Sequence, residues 1–362
     1  MSSSSTSERV LRAIHRLQTA ERQRALDAVV SDGRCSPAMA AWGLDAALSV
    51  FDRDAVASLA RVHEGARVAV ALAESVPTAP LRSIVLPLLQ GAQRVRVRAP
   101  RAQRAVGSLW SALLVDEGLA CQWDDEEDGD RWLERVSKTG ADTVVAFGSD
   151  ARIERLRAAV SGARLQGYGH GAGAAWIDSA AIDDVVEQIA WDFCAYDGVG
   201  CLSPEVLWVS GDHDAALRVA ERLASAMARW ATSHPRGARG REELVFERGW
   251  RASTAAASEW FSRGEWGSVA LLSEDAASVV RAMGARNVIL RLAGEDNTNA
   301  LDWFRAHARA LTSVATDDAT RPVIERLGDD RSLGFCGRIV APGDMQRPPL
   351  DGEADPRSAL VS

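Results

Sequence analysis

Cys201, in the stretch CAYDGVGCLSPE, has the residue type and the setting for nucleophilic chemistry. Gly198 and Gly200 clear side chains from around it, and the stretch falls between a predicted helix and a predicted strand, where a loop can present a thiol in a cleft. A thiolate is a strong nucleophile that forms thioesters and needs no metal. A small, inert, buried cysteine is the other reading of the same residue. Upstream, GYGHGAGAAWID (167–178) sets Gly167, Gly169, Gly171 and Gly173 at alternate positions and then turns apolar. A dinucleotide fingerprint needs a strand before its glycines and a helix after them, whereas AAWI reads as a strand. Backbone kept bare where a ligand passes close accounts for the pattern, and so does a flexible connector between domains. In AFGSDARI, Gly148 and Ser149 stand where the apolar strand 143–147 gives way to a helix. Free N–H groups then sit at the carboxyl end of a parallel strand, where α/β sheets bind nucleotides. The same pair also makes an ordinary strand-to-helix turn.

The elements that must position these residues follow from the apolar pattern. Residues 8–61 read as two or three helices, with a break near SDGRCSP. From Arg67 strands alternate with helices: ARVAVALA, then a loop and helix ending at Gly91, then RVRVRAP, the helix AVGSLWSALLVDEG, and ADTVVAFGSDARIERLRAAV. That order means a parallel sheet covered on both faces. After residue 170 the alternation restarts with a helix at DDVVEQIAWDFCAYDG, the strand EVLWV and a long helix from Asp214 to Trp230. HPRGARGREE reads as a polar loop, GSVALLS and NVILRLA as strands each followed by a helical stretch, and DDEEDGD (124–130) as a solvated loop.

A chain of 362 residues exceeds the size at which one core stops growing, so two domains are expected. A formal charge of -8 argues against a nucleic-acid or anionic-membrane surface. The start MSSSSTSERV has no signal-peptide pattern, and no run of about eighteen apolar residues suggests a membrane span, so a cytoplasmic protein is expected. The five cysteines are scattered and never form C-x-x-C, which points away from a disulfide framework and from a zinc site.

The segment from Gly167 to Val209 resembles the centre of the aldehyde dehydrogenase superfamily: a glycine-rich lead into a strand, an acidic turn, a helix, the nucleophilic cysteine and another strand. More narrowly it is similar to LuxC-type acyl-CoA reductases. AVALAESVPTAPLRSIVLPLLQGAQRVRVRAP, VVAFGSD and CGRIVAPGDMQRPPLDG extend the likeness over roughly residues 65 to 350. The resemblance implies an α/β fold of two Rossmann-like three-layer domains. It divides the chain into an N-terminal helical segment (1–61), a cofactor-binding domain (62–170), a catalytic domain (171–330) and a C-terminal segment returning to the cofactor domain (331–362). It implies NADPH or NADH as cofactor, an acyl-CoA or other acyl thioester as substrate, and a homo-oligomer or an acyl-transfer protein as partner.

Carried over residue by residue, the resemblance makes Cys201 the nucleophile and assigns Gly148 and Ser149 to the cofactor turn, with Gly169 and Gly171 in the glycine-rich lead. His170 stands beside the cleft, either to donate to the thiohemiacetal oxygen or to bond a backbone group. Hydrolytic relatives carry a water-activating glutamate where this sequence has Gly167, Tyr168 and Gly169. An enzyme that exchanges its acyl group with coenzyme A is harmed by such a base, so the implied reaction is reductive. The family's oxyanion-stabilising asparagine aligns with Ser75, and its lysine before the proline after the second strand with Ala99, beside Arg98, which could reach a ribose or 2'-phosphate. Those departures leave a non-catalytic binding protein as an alternative to the enzyme, and an acyl-phosphate reductase is the alternative within catalysis. Trp176, Trp191 and Trp208 bracket the cysteine segment, as core filling or as walls of an acyl pocket.

Overall fold

The computed structural model describes residues 5–73, 75–100, 104–125, 128–273, 276, 284–351, 355 and 357. The chain divides into two compact units, one running to His170 and resuming at Arg347, the other spanning Gly171–Gln346.

In the first unit four helices, α1 (Thr6–Gln18), α2 (Arg22–Gly33), α3 (Pro37–Ser49) and α4 (Arg53–Ser58), precede an alternating series. It runs β1 (Arg67–Ala71), α5 (Ala79–Leu89), β2 (Arg94–Arg98), α6 (Arg104–Asp116), β3 (Cys121–Asp124), α7 (Gly129–Lys138), β4 (Thr143–Phe147), α8 (Asp150–Ala159) and β5 (Arg164–Tyr168). The strands form one parallel sheet in the order β3-β2-β1-β4-β5. β1 is buried from Val68 to Ala71 because helices cover both faces, which is why its sequence is continuously apolar instead of alternating. The expected helical segment 1–61 is no separate body. Val10, Ile14, Leu17, Val29, Leu44 and Leu48 share one core with Leu81, Ile84 and Val85 of α5 and Val68 and Val95 of the sheet. The DDEEDGD segment also departs from a solvated loop. Asp124 accepts from Arg96 and from the Trp132 indole, both at 2.7 Å, Asp128 caps α7, and Asp130 pairs with Arg152 at 2.8 Å; Glu126 and Glu127 lie outside the described residues.

The second unit contains β6 (Ala172–Asp178), α9 (Ile182–Cys194), β7 (Pro204–Ser210), α10 (His213–Ser233), α11 (Arg241–Ala256), β8 (Ser258–Gly264) and β9 (Gly267–Leu272). β10 (Asn287–Leu292), α12 (Thr298–His307), β11 (Leu311–Thr316), α13 (Arg321–Asp329) and β12 (Arg338–Val340) follow. Their sheet has the order β12-β11-β6-β7-β10-β9-β8, parallel except for the hairpin strand β8. α11 and β8 are additions to the expected pattern, and α11 takes Arg241 to Glu243 out of the expected polar loop. Their apolar signal is weak because α11 buries only Glu247 and Thr254, and β8 is a half-exposed edge strand. The helical stretch expected after GSVALLS falls largely outside the described residues. β12 pairs with β11, so residues 331–346, expected with the C-terminal segment, stay in the second unit and the return begins at Arg347.

Candidate active site

Cys201 is exposed, while the backbone around it is fixed from several directions. After α9 the chain takes three consecutive left-handed residues, Tyr196 (φ 50°), Asp197 (φ 56°) and Gly198 (φ 67°), a strained run for the first two. Asp197 compensates. Its carboxylate accepts from Arg286 Nε and from the Gly237 N–H, both at 2.8 Å, and its carbonyl accepts from the Arg286 N–H at 3.1 Å. A side chain at Gly198 would also stand 3.0 Å from the Phe193 carbonyl, so glycine is required there. The Gly200–Ser203 turn that carries Cys201 is closed by the Ser203 N–H donating to the Gly200 carbonyl at 2.9 Å. The fully buried Thr312 hydroxyl lies 2.5 Å from the Cys201 carbonyl and 3.1 Å from that of Ala172. Gln346 donates to the Ser203 hydroxyl at 3.1 Å, and Asp192, wholly buried, accepts from the Gly343 and Met345 N–H groups.

The remaining thiols differ in accessibility. Burial pushes Cys194 up to about 12 and Cys121 up to about 11, so both stay protonated and inert at neutral pH. Cys35 and Cys336 are half-buried, which leaves Cys201 as the exposed one of five free thiols.

In the first unit the order β3-β2-β1-β4-β5 puts a topological switch point between β1 and β4, whose carboxyl ends lead to Ser75 and to Gly148–Ser149. Ser149 caps α8, its hydroxyl accepting from the Arg152 N–H at 3.3 Å, and Gly148 donates its N–H to the Tyr168 carbonyl at 3.0 Å. Asp150 opens the helix and accepts from the His170 N–H at 2.7 Å. Arg357 clamps the same stretch, donating to the carbonyls of Gly169 and His170 while pairing with the buried Asp355. Gly148, Ser149, Gly169 and His170 are thus brought together, with His170 held through its backbone and its side chain exposed. Gly171 begins the second unit beside Ala172.

The structure bears on three expectations. The alternate glycines are bare because protein atoms fill the space a Cβ would take: Ile153 Cγ2 2.6 Å from the position at Gly167, Asp150 Oδ1 2.1 Å at Gly169, and the Ser203 carbonyl 2.6 Å at Gly173. Neither a passing ligand nor a flexible connector is needed to explain those three. Arg98 is only 9 % exposed and lies over the first turn of α7, where a Cβ at Gly129 would come 2.6 Å from its Nη1. The tryptophans fill the core: Trp176 stacks on Phe304 at 5.4 Å, Trp191 meets Trp230 at 4.3 Å, and Trp208 lies 6.1 Å from Trp303. Ser75 is exposed, at the carboxyl side of β1 as the switch point requires. Sequence reasoning missed Thr312, Asp197, Arg286, Asp150 and Arg357, because each acts through a partner at least twenty residues away or through a backbone atom.

Residues 119–287 match the family of acyl-CoA reductases (LuxC). The matched stretch is less than half of the chain and holds Gly148, Ser149, the glycine-rich lead, Cys201 and Arg286. No curated protein matches the sequence. In fold the chain is similar to aldehyde dehydrogenases. With aldehyde dehydrogenase 21 from Physcomitrella patens the identity is 10 %, over 92 % of this chain and 77 % of that one, at a TM-score of 0.71. For the NAD-dependent aldehyde dehydrogenase from Sinorhizobium meliloti the figures are 12 %, 93 %, 74 % and 0.70. The Delta-pyrroline-5-carboxylate dehydrogenase from Mycobacterium tuberculosis gives 16 %, 92 %, 70 % and 0.69. The LuxC-type stretch and the aldehyde dehydrogenase fold together support an aldehyde-dehydrogenase-type oxidoreductase. No described helix is long and apolar enough to cross a membrane.

Proposed function

We propose that this LuxC-type chain reduces an acyl thioester, such as a fatty acyl-CoA, to an aldehyde through an acyl-enzyme on Cys201. The observation that carries the reading is the pairing of an exposed thiol with a backbone held by Thr312, Ser203 and Asp197, inside the stretch that matches acyl-CoA reductases. Cys201 attacks the thioester carbonyl as a thiolate, the coenzyme A thiolate leaves and takes a proton, and the acyl group remains as an enzyme thioester. The Cys201 N–H is the donor nearest in sequence to the developing oxyanion. After hydride addition the thiohemiacetal collapses, releasing aldehyde and returning the sulfur of Cys201.

The first unit fits a nicotinamide dinucleotide at the level of topology: its switch point lies between β1 and β4, and the α8 N-terminus at Gly148–Ser149 faces the carboxyl end of the sheet. At Gly148 the space of a Cβ is already taken by Arg152 Cδ at 2.7 Å. Ser149, with its exposed hydroxyl, and the backbone of the α8 first turn would hold the pyrophosphate or ribose. A reduced nicotinamide bound there supplies the hydride. The buried Tyr168, stacked on Phe147 at 4.8 Å, stands in the lead where hydrolytic relatives keep their glutamate, which favours reduction over hydrolysis.

Intact-mass spectrometry of the wild type and of Cys201→Ser, incubated with acyl-CoA of several chain lengths or with an acyl phosphate and then with NADPH or NADH, tests this. The expected result is an acyl adduct on the wild type alone, discharged as aldehyde by one of the two reduced cofactors. Absence of an adduct with every donor would overturn the reading in favour of a binding role, and an adduct from acyl phosphate alone would change the donor.

A further inference from the structure

Arginines outnumber carboxylates at the start of β10 and the loop that faces it. Arg286, whose side chain is 0 % exposed, gives Nε to Asp197 and reaches the Pro235 carbonyl with Nη2 at 3.5 Å, while its Nη1 has no hydrogen-bond partner among the described residues. Arg236 grips Glu247 through Nη2 at 2.9 and 3.1 Å and leaves its buried Nε without a partner among the described residues. Arg251 stands 2.7 Å from the same carboxylate and gives Nε to Asn287. Arg239 lies 3.5 Å from Glu243, and its Nη1 is buried without a hydrogen-bond partner among the described residues. Four guanidinium groups therefore face three carboxylates, those of Asp197, Glu247 and Glu243. The crowding is felt at Arg251, which burial first, and then the charges of Arg236, Arg263 and Arg239, hold below the ordinary arginine range against the pull of Glu247.

A buried N–H with no acceptor is destabilising, and three of them among like charges form an arrangement that a polyvalent anion would complete. Guanidinium forks match the oxygens of a tetrahedral phosphate in spacing and direction. Arg236, Arg239 and Arg251 retain 13, 17 and 14 % side-chain exposure, whereas the Arg286 side chain is fully buried.

We propose that Arg236, Arg239, Arg251 and Arg286 form a phosphate-binding site in the second unit, occupied by inorganic phosphate or by the phosphate of a small phosphomonoester. The site is independent of the reductase reading. It shares one residue with the support of the Cys201 turn, since the guanidinium that faces the phosphate also holds Asp197.

Isothermal titration of the full chain with inorganic phosphate and with glycerol 3-phosphate, in chloride buffer of matched ionic strength, tests the site together with the melting temperature. Saturable binding that raises the melting temperature is expected for the wild type. Arg239→Gln, on a partly exposed loop side chain and therefore able to fold, is expected to bind about tenfold more weakly through loss of one charge-assisted hydrogen bond. Arg241→Gln, an exposed neighbour outside the cluster, is expected to bind like the wild type. Tighter binding of glycerol 3-phosphate assigns an ester ligand, and tighter binding of phosphate assigns the free anion. No binding beyond chloride, or equal binding by wild type and Arg239→Gln, overturns the proposal.

Discussion

The Gly148–Ser149 turn and the Cys201 turn are both short, glycine-bearing connections beside a buried parallel strand, yet they lie at opposite ends of their sheets. The first follows the carboxyl end of β4, where α/β sheets usually bind ligands; the second precedes the amino end of β7. Their support differs as well. Ser149, Arg152, Asp150 and His170 hold the first turn over about twenty residues of sequence, and only the adjoining Gly169–His170 backbone draws on the distant Arg357. The second is held by Thr312, 111 residues from Cys201, and by Arg286, 89 residues from Asp197. A turn at the carboxyl end inherits its placement from strand and helix geometry. One at the amino end has no such default, and the fold must supply specific buried hydrogen bonds to place it.

The strongest break in this comparison is chemical. Cys201→Ser is expected to abolish the acyl adduct and lower aldehyde formation by about 10⁴-fold or more, as loss of a nucleophile does elsewhere, whereas Ser149→Ala keeps the adduct. Steady-state rates and intact mass check both. Next comes Gly173→Ala, whose Cβ would press on the Ser203 and Leu202 carbonyls at 2.6 and 2.8 Å. Backbone cannot swing aside as a side chain can, so a loss of about 1–3 kcal/mol in urea unfolding is expected. Gly169→Ala should cost less, since it meets the Asp150 carboxylate, which can turn away at the expense of its bond to the His170 N–H.

Thr312→Val removes the hydroxyl that bridges the carbonyls of Cys201 and Ala172, at a stability cost of about 1–2 kcal/mol and with a changed rate of iodoacetamide labelling at Cys201. An unchanged labelling rate would reduce Thr312 to a purely structural bond. Ser149→Ala, at the local turn, is expected to cost about 1 kcal/mol as a lost helix cap and to leave labelling untouched. The smallest effect lies far from both turns. The Arg67 guanidinium and N–H hold Asp142 down to about 2, so this pair stabilises above the ordinary carboxylate range near 3.8 and loses its effect as pH falls toward 2. Because the pair is half-exposed, Asp142→Asn should cost about 0.5 kcal/mol at pH 7 and only a small fraction of that at pH 2, where about half of Asp142 is protonated, in parallel denaturation curves.

Much of the fold is legible in the sequence. RVAVA, TVVAF and EVLWV show continuous apolar runs because both faces of a parallel sheet are covered, and the alternation with amphipathic helices dictates the topology class. α11 and β8 escape because a helix that buries two polar residues and an edge strand leave no apolar period to detect. At the candidate site, the thiol and the Gly-Ser turn are visible as residue types in context. The chemical reason for the glycines is not visible: Gly169 is bare for Asp150, and Gly173 for the Ser203 carbonyl.

The sequence by itself determined the alternating α/β architecture, the presence of one cysteine in a glycine-bearing loop and the absence of a glutamate from the glycine-rich lead, since each is written in local spacing. Only the tertiary structure decided that Arg98 packs on α7, that the three tryptophans are core, and that Thr312 and Arg286 hold the loops leading to the nucleophile. Those outcomes depend on which distant atoms fill a given volume or satisfy a given hydrogen bond, and no local period of two or 3.6 residues encodes that.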